Sequence, residues 1–462
     1  HRFTGPYLCT NRCGKPVDEL WTNLEPEVIN ISYTGSRSII HRVIQIDFSS
    51  ISAFLTGFST YPQPLRLRLR IFTIFFLYKQ THQTVRKGEL STIMKLVFDK
   101  ADLVKSVGIA MKAVSGKTTM PILECILIDA SSNVIKFTSN DMELGIETIV
   151  TGMILERGIV ALDAKIFSEI VRKLPDNQVT IETDENLVTT ITCEKAKFNI
   201  PGQSGEDFSY LPILETSDCV SISQFTLKEL IRQTIFSIAA NENNKLMTGE
   251  LFEIKDNTLR VVSLDGHRIA IRRIELKDSY PDRKVVVPGK TLNEISKILS
   301  GEMDDQIDIY FSENHIMFKF DDTTVVSRLI DGEYFRIDQM LSSDYETKVT
   351  INKKEFLSCI DRATLLVKEG DKKPIIIDIQ DGAMELQINS AMGSMKEEID
   401  INKEGKDIMI GFNPKFLIDA LRVIDDEEIS IYLVNPKAPC FIRNEEESYI
   451  YLILPVNFNS VR

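Results

Sequence analysis

The stretch FDKADL at residues 98–103 recurs in outline as FTLKEL at 225–230 and as INKKEF at 351–356. Each copy begins with an apolar residue typical of a strand end, followed by a helix-capping residue, two further residues, an acid and an apolar residue. The capping residues Asp99, Thr226 and Asn352 can accept a hydrogen bond from a first-turn amide, and the acid can bond back to the cap. These caps are 127 and 126 residues apart, which predicts a strand-to-helix unit that occurs three times.

A second set of predicted helices keeps the same period. The stretches AKIFSEIVRKL, GKTLNEISKIL and PKFLIDALRVI carry a lysine near their start, at Lys165, Lys290 and Lys415, and these lysines are 125 residues apart in both intervals. Each stretch precedes a β-rich run: VTIETDEN, IDIYFSEN or ISIYLVNP. Solenoid repeats, the alternative, are shorter, at roughly 20–50 residues. The sequence therefore predicts an α+β fold of three repeated domains of about 125 residues, each with two helices and many strands.

The predicted domain boundaries are 94–216, 217–343 and 344–459, which leave residues 1–93 outside the repeats. This front segment carries a net charge of about +5 and the only tryptophan, Trp21, whereas residues 94–462 carry a net charge of −18. Met94 is followed at once by the first predicted strand and helix. We expect residues 1–93 to be a non-native or disordered extension, with Met94 as the native start. The alternative is a genuine basic arm that anchors or regulates the protein.

The composition is that of an ordinary globular protein, with 43% hydrophobic residues, 26% charged residues and a net charge of −13. The longest apolar run, Ile71 to Tyr78, is far shorter than the about 20 residues that a membrane helix needs. Seven scattered cysteines contain no CxxC pair. This pattern predicts buried thiols in a reducing compartment rather than disulfides or a zinc site. We therefore expect neither a metal nor another cofactor.

Positive charge is concentrated on the predicted helices. The windows 99–114, 164–174, 226–240, 289–299, 352–367 and 414–424 hold 15 Lys and Arg against 8 Asp and Glu, and each window is net positive. The rest of 94–462 has a net charge of −25. Helices around a common channel would give a positive lining that attracts phosphates without reading bases. The alternative is that these side chains only solvate the outer faces of the helices.

Two familiar catalytic motifs fail in their context. Residues 115–119, SGKTT, resemble the end of a phosphate-binding loop, but Met111 stands where the earlier glycine is needed and the segment follows a helix. Asp265 and His267 lie close to Ser263 in sequence, yet no glycine loop for an oxyanion hole surrounds this serine. No catalytic residue is predicted. The rival interpretations are an enzyme of unrecognised type and a non-ring, β-rich scaffold that binds DNA or protein.

Four motifs give the repeated region a family resemblance: TMPIL at 119–123, SLDGHRIA at 263–270, DGEYF at 331–335 and YIYLILPV at 449–456. Over 94–459 the chain resembles the bacterial sliding clamp, the beta subunit of DNA polymerase III. The resemblance implies clamp domains in which two helices pack on antiparallel sheets. It further implies a head-to-tail homodimer whose six domains close a ring around double-stranded DNA, with helices lining the hole and sheets forming the outer wall. It also implies a cytoplasmic, nucleoid-associated processivity factor without catalytic activity, opened by an ATP-driven loader.

The same resemblance implies a partner groove between the second and third domains for short apolar peptides, often with a Gln and a Leu or Phe end. The expected partners are the polymerase alpha subunit, the clamp loader, and mismatch-repair and translesion polymerase proteins. Flexible Met247 and Met340 suit a groove that accepts many partners, and His267 and Arg268 are expected to form its polar edge. The matching positions are Met247, Leu264, Gly266, His267, Arg268, Ile269, Phe335, Gln339, Met340, Leu452, Leu454, Pro455 and Val456.

Four positions in or near this groove depart from the family pattern. Relatives often have Thr where Leu264 stands, Pro where Phe335 stands, and Arg where Asn244 and Gln339 stand. We therefore expect a reshaped groove with a less basic rim.

Twelve basic positions are expected to face DNA, from the resemblance and the charge pattern together. Lys117 matches a loop position that contacts DNA in relatives, and the others belong to the helix windows. Dispersed contacts of this kind hold phosphates in any register and carry no base specificity. The positions are Lys105, Lys112, Lys117, Lys165, Arg172, Lys228, Arg232, Lys290, Lys297, Arg362, Lys415 and Arg422.

Overall fold

The computed structural model describes residues 93–116, 118–214, 219–240, 244–342, 344–367 and 373–458. These residues belong to one compact unit of the chain. The predicted extension 1–93 lies outside the described residues, apart from Ile93. The described part contains six α-helices: α1 (Lys100–Ala110), α2 (Ala164–Lys173), α3 (Gln224–Thr234), α4 (Gly289–Ser296), α5 (Lys353–Thr364) and α6 (Pro414–Val423).

The strands repeat in the same order around each pair of helices. The first domain contains β1 (Met94–Asp99), β2 (Cys125–Asp129), β3 (Ile135–Asn140), β4 (Leu144–Val150), β5 (Met153–Glu156), β6 (Ile159–Asp163), β7 (Gln178–Thr183), β8 (Val188–Cys193) and β9 (Ala196–Gln203). The second contains β10 (Cys219–Ser223), β11 (Gly249–Leu264), β12 (Arg268–Pro288), β13 (Gln306–Phe311), β14 (His315–Phe320) and β15 (Thr323–Arg328). The third contains β16 (Thr347–Asn352), β17 (Ile375–Gln380), β18 (Ala383–Ser390), β19 (Gly393–Asp400), β20 (Asn402–Gly405), β21 (Ile408–Phe412), β22 (Glu428–Leu433), β23 (Cys440–Arg443) and β24 (Tyr449–Ile453).

The start of α3 differs from the prediction. Strand β10 ends at Ser223, whose hydroxyl accepts a hydrogen bond from the Thr226 amide at 3.0 Å, so Ser223 is the cap and Thr226 lies inside the first turn. Asn352 caps α5 as predicted, accepting from the Glu355 amide at 3.1 Å. Asp99 occupies the cap position of α1 but accepts no capping hydrogen bond. The three caps are therefore 124 and 129 residues apart.

Continuous sheets join neighbouring domains. A 13-stranded sheet runs through the first and second domains in the order β10-β13-β14-β15-β4-β3-β2-β6-β9-β8-β7-β1-β5, with β15 antiparallel to β4 at the joint. A seven-stranded sheet, β11-β12-β24-β23-β22-β16-β20, joins the second and third domains through β12 and β24. A four-stranded sheet, β19-β18-β17-β21, completes the third domain. Both joints therefore use the same pair of strands of the repeating unit.

Each domain buries its own apolar core between its helices and its sheets. In the first domain Phe137 meets Phe98 and Phe167 edge-on, with ring centroids 6.0 and 6.2 Å apart. Phe252 and Phe318 are fully buried in the second core and Phe356 in the third. Apolar positions three and four residues apart on α1, α3 and α5 face these cores.

The described cysteines agree for the most part with the predicted buried thiols. Cys125, Cys193, Cys359 and Cys440 are buried and unpaired, whereas Cys219, also unpaired, is partly exposed near the start of β10. Burial raises the pKa of the Cys125 thiol to about 11, so this thiol stays protonated at neutral pH. Cys9 and Cys13 lie outside the described residues. Among the helices that the structure describes, none is long and apolar enough to cross a membrane.

Candidate functional site

An apolar cluster lies at the joint between the second and third domains, where β11, β12 and β24 run side by side. Leu264 pairs with Ile269, and Ile269 pairs with Leu452, so three side chains from three neighbouring strands line up across the joint. All three are buried. Met247 and Phe335 pack on the same cluster from the turn before β11 and from the segment after β15. The structure thus brings together five of the residues that the sequence assigned to one groove.

Exposed apolar residues follow directly along the chain from residues of this buried floor. Met340 is 46% exposed, Leu454 is 39% exposed and Val456 is 36% exposed. The Leu454 amide donates to the His267 carbonyl at 2.8 Å, and the Val456 amide donates to the Gly411 carbonyl at 2.8 Å, so hydrogen bonds hold the segment after β24 in place. The remaining groove positions are exposed or half-buried: Gly266, His267, Gln339 and Pro455. A buried apolar floor with exposed apolar neighbours suits an apolar ligand.

Arg268 does not form the polar edge that the sequence suggested, because only 6% of it is exposed. Its Nε donates to Asp265 at 3.0 Å, Nη1 donates to Asp419 at 2.7 Å and Nη2 donates to the Phe236 carbonyl at 2.6 Å. The guanidinium also lies 4.3 Å from the centroid of the Phe416 ring. Arg268 therefore ties the β11–β12 turn to α6 of the third domain, and the exposed polar position at this edge is His267.

The electrostatic environment of Arg268 favours its charged form. Burial alone would lower its pKa, but the hydrogen bond to Asp419 and the negative charges of Asp265 and Asp419 together raise the pKa above its usual value. An arginine with this set of partners is a structural cation rather than a free ligand for a peptide.

The four positions that depart from the family pattern differ in their burial and in their contacts. Leu264 belongs to the buried floor. Phe335 is half-buried and meets Tyr334 edge-on, with ring centroids 5.5 Å apart. Asn244 caps a short 3-10 turn by accepting a hydrogen bond from the Leu246 amide at 3.1 Å. Gln339 is exposed beside Asp338, whose pKa is lowered by its hydrogen bond with Arg260.

The basic side chains of the helices fall into two groups. Lys105, Lys165 and Lys415 are exposed, and none of them forms a salt bridge with another described residue. Arg172 is exposed and donates to Ser168 of its own helix, and Lys112 is half-buried. The second group is paired with acids: Lys290 with Asp141, Lys297 with Glu294 at 2.7 Å, Arg362 with Glu397 and Arg422 with Asp361 at 3.5 Å.

Two of the residues expected to face DNA form hydrogen bonds with other parts of the chain. Arg232 donates to Glu229 of its own helix, to Asp425 at 2.8 Å and to the Val423 carbonyl at 3.1 Å, so it joins α3 to the end of α6. The Lys228 ammonium donates to the Leu299 carbonyl at 3.3 Å. That these two side chains also face DNA stays a prediction. Lys117 lies outside the described residues.

Sequence reasoning missed two groups near the groove. Asp419, Phe416 and Phe236 enclose Arg268, but their spacing in sequence carries no signal of this. Glu250 is fully buried in β11. A comparison of the three repeats could have found Glu250, because the other two domains have isoleucine at the same place.

Comparisons with known proteins agree with this architecture. Family models of the DNA polymerase III beta subunit match in three parts: the N-terminal domain at residues 94–212, the central domain at 221–335 and the C-terminal domain at 338–457. The beta sliding clamp of Staphylococcus epidermidis is 33% identical over 375 residues, which cover 79% of this chain and 99% of that protein. These matches confirm the resemblance and the fold class predicted from the motifs.

Two solved structures are similar over the same region. A protein from Eubacterium rectale assigned as a DNA polymerase III beta subunit has 71% identity and a TM-score of 0.77, covering 79% of this chain and 100% of that chain. The DNA polymerase sliding clamp of Bacillus subtilis has 35% identity and a TM-score of 0.76, with the same coverage.

Proposed function

Because the chain belongs to the DNA polymerase III beta subunit family and is a DNA sliding clamp, we propose that two copies close head to tail into a ring around duplex DNA. Such a ring is held on DNA by topology, so weak and sequence-independent contacts suffice. It acts as a processivity factor for the replicative polymerase and, in our proposal, catalyses no reaction itself. A clamp of the bacterial chromosome would work in the cytoplasm at the nucleoid. We also propose the boundaries 94–216, 217–343 and 344–459 for its domains.

The observation that supports the ring is a pair of unmatched strand edges. Both joints within the chain pair a strand equivalent to β4 with a strand equivalent to β9: β4 with β15, and β12 with β24. Among the described residues, β19, the third domain's equivalent of β4, has only β18 as a neighbour. Residues 196–200 of β9 pair only with β8. A third joint of the same kind therefore requires a second copy, and two such joints close a ring of six domains.

The internal repeat predicts the register of this third joint. Ile146 faces Val325 in the first joint, and Ala270 faces Tyr451 in the second. At the open edges, Met395 of β19 takes the place of Ile146, and Phe198 of β9 takes the place of Val325. This follows from the pairing of each residue with the preceding strand of its own domain. Phe198 is 40% exposed. We expect it to become buried against Met395 of the partner subunit.

Charge complementarity favours the same closure. An open depression of about 410 Å³ lies between α5 and β19, and its lining is net acidic. It contains the four acids Glu355, Glu397, Glu398 and Asp400 and the two bases Lys354 and Arg362. At the second joint, the segment that follows α6 contacts α3 through Asp425 and Arg232. The equivalent helix end at the third joint is that of α2, which carries Arg172 and Lys173. A basic helix end facing an acidic depression favours correct pairing and faster association.

The groove between the second and third domains is the proposed docking site for partner proteins. Its buried floor and its exposed apolar residues Met340, Leu454 and Val456 fit a short apolar peptide. The partners in this proposal are the polymerase alpha subunit, the clamp loader, and mismatch-repair and translesion polymerase proteins.

The exposed helix cations Lys105, Lys165 and Lys415 are the strongest candidates for DNA contact, because none of them forms a salt bridge with an acid among the described residues.

A topological experiment tests the function. The protein is loaded onto nicked circular DNA with a clamp loader and ATP, and the DNA is then linearised. Retention on circles with loss from linear ends is the expected result. Phe198→Asp serves as a matched control, because a charge at the open edge should prevent closure and abolish retention on circles. Equal retention of the unchanged protein on circular and linear DNA would reject the clamp in favour of a DNA-binding scaffold.

A further inference from the structure

Glu250 breaks the internal repeat at a fully buried position. In the first and third domains the same place is held by Ile126 and Ile375. The three residues are equivalent because each pairs with the residue two positions before the second helix of its domain. All three have an exposed fraction of 0%. Only in the second domain does a carboxyl group take the place of an apolar core side chain.

A second residue of the same core has changed together with Glu250. Thr234 is the last buried position of α3, and the last buried positions of α1 and α5 are Ala110 and Ala363. A shared hydrogen bond supports this equivalence, because Ser263 donates to the Thr234 carbonyl just as Ser139 donates to the Ala110 carbonyl, both at 2.5 Å. The second domain therefore has a carboxyl and a hydroxyl where the other two have isoleucine and alanine.

The burial of Glu250 and the hydrogen bond of Thr234 to another group favour a protonated Glu250. The Thr234 hydroxyl donates its only hydrogen to the Leu230 carbonyl at 2.6 Å, so toward Glu250 it can only accept. Among the described residues, neither Glu250 oxygen has a hydrogen-bond partner, and Thr234 is the polar side chain that influences its carboxyl group. A carboxylate cannot donate, whereas a carboxylic acid can. Burial raises the pKa of Glu250 well above its usual value, and the opposing effect of Thr234 is smaller.

In the part of the chain that the structure describes, no cation influences the Glu250 carboxyl group, whose pKa is shifted by burial and by Thr234 alone. The neighbour of Glu250 on β12 is its strand partner Val287, and the segment after β15 contributes Tyr334, whose own pKa is raised by burial and by Glu250. The basic residues of α3 bond elsewhere, Lys228 to the Leu299 carbonyl and Arg232 to Glu229 and Asp425. An ionised Glu250 would therefore be a buried charge without compensation, which is costly.

Glu250 lies directly behind the partner groove. Its neighbour Leu251 belongs to the buried floor, and Tyr334 packs on Phe335 of the groove. The segment after α3 is tied to the groove as well, because the Ala239 amide donates to the Met247 carbonyl at 2.8 Å. The same segment contains Phe236, whose carbonyl accepts from Arg268.

We propose that Glu250, as a neutral acid beside Thr234, is a positioning residue of the partner groove, and that loss of its proton loosens the segment after α3 and weakens peptide binding. This inference rests on the proposed peptide-binding function of the groove. It adds to that function a dependence on pH that comes from the second domain alone.

The test measures binding of a fluorescein-labelled hexapeptide that begins with Gln and ends in Leu-Phe, by fluorescence anisotropy, from pH 6 to pH 10. With the unchanged protein, affinity should fall at least threefold toward alkaline pH. Glu250→Gln keeps a hydrogen-bond donor that cannot ionise, so its affinity should match the unchanged protein at pH 6 and stay level. Glu250→Ile with Thr234→Ala copies the cores of the other two domains. It should fold with an unchanged or higher unfolding temperature but bind the peptide several-fold more weakly at every pH.

Two results with these variants would contradict the positioning role of Glu250. The positioning role is overturned if Glu250→Gln follows the pH profile of the unchanged protein, or if the Ile and Ala double variant binds as tightly as the unchanged protein. A lack of binding by the unchanged protein at every pH would reject the groove itself, and the positioning role with it. The retention of the protein on circular DNA is a separate measurement and would still test the ring.

Discussion

Arg268 donates to Asp419 at 2.7 Å, and this contact joins a turn of the second domain to a helix of the third. The guanidinium is almost completely buried and also reaches Asp265 and the Phe236 carbonyl. A buried cation that loses one of its partners keeps the cost of its desolvation without the compensating bond. The shape of the partner groove therefore depends on a polar contact beneath its surface.

Replacing Asp419 with alanine should lower the stability of the joint. We expect a loss of about 2 kcal/mol, typical of a hydrogen bond to a charged group, visible as a lower unfolding temperature. Asp361→Ala is the matched control, because Asp361 meets Arg422 in an exposed pair at 3.5 Å. The control should change stability by less than about 0.5 kcal/mol. Equal effects of the two substitutions would contradict the structural role of the Arg268–Asp419 contact.

The register of the third joint can be tested by cross-linking. Phe198→Cys combined with Met395→Cys should give a covalent dimer under mild oxidation, because facing residues of antiparallel strands have Cβ atoms about 4.5–5.5 Å apart. Non-reducing gel electrophoresis measures the yield. Phe198→Cys alone and Lys197→Cys with Met395→Cys are the controls, since Lys197 points to the other face of the strand. A higher yield from the Lys197 pair would show a different register.

The two groups of helix cations should differ in their contribution to DNA binding. Lys105→Ala, Lys165→Ala and Lys415→Ala together should flatten the dependence of log affinity on log salt by about 0.9 for each phosphate that is no longer neutralised. The matched variant combines Lys297→Ala, Arg362→Ala and Arg422→Ala, whose side chains are paired with acids. It should change the slope less. Anisotropy with a short labelled duplex over a salt series measures both slopes, and identical slopes would refute the distinction.

The buried carboxyl of Glu250 should make folding stability depend on pH. Its pKa is raised in the folded protein, so the unfolded chain loses the proton first, and stability is full below the ordinary pKa and falls as pH rises toward the raised value. In that window the slope is about 1.4 kcal/mol per pH unit. Relative to the unchanged protein, Glu250→Gln should gain unfolding temperature as pH rises from 5 to 9. Glu143→Gln, at an exposed position, is the control, and parallel curves for all three proteins would exclude the effect.

The floor and the exposed edge of the groove should respond differently to truncation. Leu454→Ala, at an exposed position, should weaken binding of the labelled peptide by about 1–2 kcal/mol, as truncation of an interface hot spot does, with little change in unfolding temperature. Leu452→Ala removes a buried side chain and should cost about 2–5 kcal/mol of stability through the cavity it leaves. A large loss of stability from Leu454→Ala would show that this residue is structural.

Local features of the sequence were sufficient to predict the threefold repeat. Capping residues and apolar periodicity act over a few residues, so the two helices of each domain could be predicted, although Ser223 rather than Thr226 proved to be the cap of α3. The apolar groove residues Leu264, Ile269 and Leu452 were also assigned to one site, because the motifs that contain them are specific to the family. The structure brings these three together on adjacent strands.

Tertiary structure alone decided which polar side chains are free. Arg268 was expected at the polar edge of the groove, and Arg232 was expected to face DNA. Their acidic partners Asp419 and Asp425 come from the third domain, 151 and 193 residues away, and could not be predicted. The buried carboxyl of Glu250 was not predicted at all, since its environment is made by α3, β12 and the segment after β15. Helix and strand formation follow from neighbours along the chain, whereas the charge state and availability of a side chain follow from groups that only folding brings near it.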